Sequence, residues 1–93
     1  MEEPKLPSRH DLEMLVIHGE AAARFAADPS IRQVLSGLRM SYFNNWQSSQ
    51  DVHEREKLHA QASALSDIEN ALDAVKDAGI GAKVALDQRR YSD

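Results

Sequence analysis

The stretch from Asp51 to Ala78, DVHEREKLHAQASALSDIENALDAVKDA, contains neither proline nor glycine. Along it Leu58, Leu65, Ile68, Leu72 and Val75 recur at intervals of seven, three, four and three, with Ala62 and Ala71 beside them. This period puts one apolar stripe along a helix, where a second helix can lie against it. Ala60, Ala62, Ala64, Ala71, Ala74 and Ala78 add helix propensity at no cost in side-chain entropy. Asp51 and Glu54 have the spacing of a capping box at the start, and Gly79 is placed to close the end in a left-handed conformation. Such a rod is roughly 42 Å long. In so short a chain, the other segments must be what packs on it.

Those segments read as follows. Met1 to Pro7 carries two prolines and no period, which predicts a flexible arm over 1–7. Ser8 and Asp11 suit the start of a helix over about 9–27. Its apolar face holds Leu12, Leu15, Val16, Gly19, Ala22, Ala23 and Ala26, while Met14, Ile17 and Phe25 lie off it. Gly19 and the run Ala21 to Ala23 allow another helix to come close. Asp28-Pro29 ends that helix and begins the next, since aspartate caps well and proline is tolerated in the first turn.

A second helix over about 30–47 presents Ile31, Leu35, Leu38 and Tyr42 at a spacing of four, three and four. The short polar link Ser48 to Gln50 suits antiparallel neighbours. After Gly79-Ile80-Gly81, a short helix over about 82–90 has Val84 and Leu86 as anchors, and 91–93 reads as a frayed tail. The expected fold is therefore all-α and a single domain over 1–93. It is an antiparallel helical hairpin, about 30–47 and 51–78, with an N-terminal and a short C-terminal helix.

With the turn centred near position 50, Tyr42 faces Leu58 and Leu35 faces Leu65. Ile31 then lies by Ile68 or Leu72, and Arg32 stands opposite Glu69. The second helix is shorter, about 26 Å, so Leu72 and Val75 project beyond it and need cover from the first helix or from another copy. Val34, Met40, Phe43 and Trp46 lie outside the hairpin stripe. With Leu72 and Val75, they are the candidate interface residues.

Composition narrows the function classes. A chain of 93 residues buries roughly 60–65% of its unfolded surface, which leaves a monomer marginal. The net charge of −4 argues against a nucleic-acid partner. With no cysteine there is neither a disulfide nor a thiolate metal site, which suits a reducing compartment. No secretory signal and no apolar run of membrane-spanning length is visible, so a soluble, cytoplasmic protein without a membrane partner is expected.

Few residues suggest chemistry. Glu56 and His59 have the Glu-x-x-His spacing of di-iron carboxylate proteins, and Glu20 on a neighbouring helix would complete a minimal ferritin-like metal set. A histidine at the edge of the seam is the plainer explanation. His53 and His59 are six apart, not the four a zincin needs. There is no phosphate-binding glycine loop and no nucleophile elbow. Arg89-Arg90-Tyr91 reads as a solvated basic tail, and Glu69, Asp73 and Asp77 as an acidic outer stripe that disfavours DNA. Neither a catalytic residue nor a cofactor is expected, and the chain reads as no enzyme.

The run HGEAAARFAADPSIRQVLSGLRMSYFNNWQSS followed by DVHEREKLHAQASALSDIENAL resembles small helical proteins of tailed bacteriophages. It shares a short helix, an Asp-Pro break, a helix ending in a tryptophan at Trp46, and Arg55-Glu56 near the start of a long helix. The resemblance implies a non-enzymatic assembly or virion protein in the host cytoplasm or the virion, associating with copies of itself or with a larger phage protein. A phage-encoded inhibitor of a host protein, or a sequesterer of a small signal, is the alternative. A ferritin-like metal protein is the third.

Overall fold

The computed structural model describes residues 6 to 92, with side chains to Arg90. Of the flexible arm expected at 1–7, residues 1–5 lie outside the described residues; of the tail expected to fray at 91–93, residues 91 and 92 instead continue the last helix and 93 lies outside. The described residues form three helices and no strand: α1 (Arg9–Ala27), α2 (Pro29–Ser48) and α3 (Val52–Ser92).

Local chemistry sets most of the ends. The Ser8 hydroxyl accepts from the Asp11 amide at 3.0 Å and the Asp11 carboxylate accepts from the Ser8 amide at 3.3 Å, a closed capping box. Asp28 ends α1 in extended backbone and caps α2, its carboxylate accepting from the amides of Ser30 and Ile31 at 2.8 and 3.3 Å. Pro29, which lacks an amide hydrogen, opens α2 where that donor is not needed. At α3, Asp51 accepts from the His53 amide at 2.9 Å, and the Asp51 amide donates to the Ser49 hydroxyl at 3.3 Å. Ser49 thus fills the role the sequence assigns to Glu54.

The expected stop at Gly79-Ile80-Gly81 is corrected. α3 runs through it as one helix of 41 residues, about 62 Å long, and absorbs the separate helix expected at 82–90. Among the described residues no glycine has a positive φ. Gly79 uses its missing side chain sideways instead. A Cβ on Gly19 would lie 2.8 Å from the Gly79 Cα and 3.2 Å from the Val75 carbonyl oxygen, and one on Gly79 would lie 2.9 Å from the Leu15 carbonyl oxygen. The backbones of α1 and α3 therefore touch at this crossing. Leu12, Ala22 and Ala82 are buried around it. Farther along, Arg89 Nη2 donates to the Pro7 carbonyl at 2.8 Å, so the end of the arm is tied to α3, and Arg89 is part of the packing rather than of a solvated tail. Residue 7 pairs with 89 and residue 19 with 79, the order of an antiparallel pair.

α2 lies against the first half of α3. Near the loop, the Arg55 guanidinium sits over the Trp46 ring, 4.1 Å from its centre. Farther along, Arg39 pairs with Glu69. The expected Arg32–Glu69 pair is thus replaced, and Leu35 lines a groove with Leu72 and Ala26. One residue, Asp28, links α1 to α2.

The stripe expected to be one seam also divides. Leu58, Leu65, Leu72, Gly79 and Leu86 recur every seven residues and are buried or half-buried along the whole of α3. Ile68 and Val75 sit beside that line and stay 54% and 40% exposed.

The extents of the molecule are 64 × 40 × 14 Å. The smallest is far below the other two, so the helices lie in a thin slab. Its radius of gyration is 19.3 Å, against about 12 Å for a compact chain of this length. One layer of helices encloses little: among the described residues the buried apolar ones are Leu12, Ala22, Leu65 and Ala82, and no side chain is fully enclosed.

Candidate association surface

Side chains on the two flanks of the α3 seam differ in character. Four residues on from seam positions stand Ala62, Glu69, Lys76 and Lys83; three residues on stand Gln61, Ile68, Val75, Ala82 and Arg89. In a helix, positions three and four residues beyond a seam residue lie on its opposite sides. α1 and α2 run against α3, so their own four-on positions share its four-on side. The grooves and pairs show this. Val16, Glu20 and Ala23 line a groove with Lys76, Ile80 and Lys83, and Arg32 and Arg39 line another with Glu69 and Asp73.

The four-on side, the charged side, carries ion pairs beside the exposed apolar side chains of Phe43, Trp46 and Ile80. It holds the Arg39–Glu69 pair, the Lys76–Asp73 pair at 3.7 Å and the Trp46–Arg55 stack. Two carboxylates of the expected acidic outer stripe, Glu69 and Asp73, are therefore neutralised within the chain. The Arg55 Nε is buried without a hydrogen-bond partner, its guanidinium held by the indole ring instead. That stack was readable in principle, because Trp46 and Arg55 stand at mirrored distances from the loop.

The three-on side is apolar. Leu15 and Phe25 from α1, Val34 and Leu38 from α2, and Ile68 and Val75 from α3 lie there, between 39% and 59% exposed. On α3, Ala64, Ala71, Ala78 and Ala85 recur every seven residues, set four or three residues from Ile68, Val75 and Ala82. They form a second seam, which no helix of this chain covers along Ala64, Ala71 and Ala78. Asn45 and Gln61 border the face at the loop end and Arg89 at the other.

The candidate interface residues are distributed as follows. Val34 and Val75 are on the apolar face. Leu72 is half-buried in the seam below it. Met40 stands on the outer edge of α2, 61% exposed, while Phe43 and Trp46 belong to the charged side. Sequence reasoning missed Leu15, Phe25, Leu38 and Ile68, because the face joins residues of three helices whose relative rotation is set by packing.

The metal candidates do not converge within one chain. Glu56 and His59 line a shallow groove with Trp46, Val52 and Arg55 at the start of α3. Glu20 lies beside Lys76 and Lys83, about 30 Å farther along that helix. Among the described residues no three histidine, aspartate or glutamate side chains cluster as a metal site, and no helix is long and apolar enough to cross a membrane. No family model, curated protein or solved structure matches the chain.

Proposed function

We propose that this protein is a non-enzymatic assembly component that works by helix-mediated association, its origin in a tailed phage resting on the resemblance noted above. One observation carries the reading: a single layer of helices with four buried apolar residues among those described and an uncovered apolar side. Soluble domains are built of at least two layers around a core, because a helix stripe left facing water gains nothing from burial. A second layer supplied from outside the chain completes the core. Elsewhere the surface mixes charged side chains and intrachain ion pairs with scattered exposed apolar residues such as Ile17, Met40 and Val84, which suits a scaffold more than a site for chemistry.

Sedimentation equilibrium of the full chain tests this directly. A mass that is a multiple of 10.4 kDa at micromolar concentration is expected. A single-chain mass up to the highest soluble concentration, with tight capture of one host protein, would favour the inhibitor reading and overturn this one.

A further inference from the structure

We infer that the occupant of the three-on face is the same face of a second copy, so that two flat layers close into a two-layer helical dimer with α3 of each at its centre. The inference rests on the association reading and specifies its partner and surface. Three observations carry it.

The first is area. A compact chain of 10.4 kDa exposes about 5,400 Å², whereas this one exposes 7646 Å², an excess of about 2,200 Å². Obligate homodimers bury about 1,000 to 2,500 Å² on each partner, so one isologous interface is enough to absorb the excess.

The second is charge. The chain carries −4, and two copies repel unless they meet where charge is absent. Between its borders the three-on face is built from Leu15, Phe25, Val34, Leu38, Ile68 and Val75, and the ion pairs lie on the other side. Such a face fits itself under a two-fold axis without charge pairing, with Gln61 and Asn45 left to form a polar rim.

The third is the period of α3. Ala64, Ala71 and Ala78, alternating with Ile68 and Val75, make a seam with the spacing of a helix-to-helix contact, and alanine at every seventh position lets two backbones approach closely. Two seams on one helix are what the central rod of a two-layer bundle needs. The first serves the chain's own helices and the second serves the copy.

The test pairs a double variant, Ile68→Lys with Val75→Lys, against Ile80→Lys on the charged side, which is 59% exposed. The double variant puts four lysines into one dimer interface and is expected to weaken association by at least about tenfold, while Ile80→Lys associates as the parent does. An unchanged mass for the double variant, or an equal loss in Ile80→Lys, overturns the face assignment while leaving the association reading intact. A monomeric parent overturns both.

Should the double variant lose helicity, thiol protection decides. The chain has no cysteine, so Ala71→Cys on the apolar face and Asp73→Cys on the other each give a single thiol. Maleimide labelling of the Ala71→Cys thiol is expected to slow at least about tenfold as concentration rises through association, and that of Asp73→Cys to hold constant. Equal rates for both at all concentrations overturn the assignment.

Discussion

Four glycines in helices provide a test of the crossing at Gly19. In a solvent-exposed helix interior, Gly→Ala stabilises by about 0.8–1 kcal/mol, because glycine loses more backbone freedom on folding. Gly37 and Gly81 have nothing within 4 Å of an added Cβ, so Gly37→Ala and Gly81→Ala are expected to gain about that amount. Gly19→Ala and Gly79→Ala gain the same propensity but place a methyl 2.8 Å from the facing Cα. Relief means backing α1 away by most of an ångström, which loosens Leu12, Ala22 and Ala82 together. Overpacking of this kind costs about 1–3 kcal/mol, so Gly19→Ala and Gly79→Ala fall about 1–3 kcal/mol below the two exposed substitutions and are net neutral to destabilising. Urea unfolding followed by helix ellipticity, at one protein concentration, reads the four midpoints side by side. Gly19→Ala as stabilising as Gly37→Ala would mean that the backbones do not touch. A loss at Gly81→Ala would instead restore the helix stop that α3 overrides.

Two further substitutions probe the same fold. Asp28→Ala removes the acceptor for the Ser30 and Ile31 amides and is expected to cost about 1 kcal/mol, with Asp28→Asn recovering most of it; a midpoint unchanged in Asp28→Ala would deny the cap. Leu65→Ala, at one of the two buried leucines, should lose about 2–5 kcal/mol, whereas Leu6→Ala, 85% exposed, should leave the unfolding midpoint within about 0.5 kcal/mol.

Much of the local structure was legible in the chain. Ser8 with Asp11 and Asp28-Pro29 are helix boundaries wherever they fall among periodic apolar residues, since they satisfy amides within their own turn. The long run from Asp51 needed no tertiary help to be read as a helix. The register of α2 was less accessible. The spacing of Ile31, Leu35 and Leu38 fits several offsets against α3, and the structure pairs Arg39, rather than Arg32, with Glu69.

Glycine and the apolar stripe mark the boundary between the two kinds of information. Residue identities alone gave helix starts at Ser8, Asp28 and Asp51 and an excess of apolar side chains over what one hairpin can cover, but they pointed to four helices where the described residues form three. They marked Gly79 as a helix stop, although a missing Cβ serves a left-handed cap and a backbone crossing equally well. The presence of Gly19 opposite resolved that. They also left Ile68 and Val75 in the same stripe as Leu65 and Leu72. Side chains three and four residues apart on a helix diverge across its face, and only the placement of α1 and α2 settled which of them are covered and which look outward.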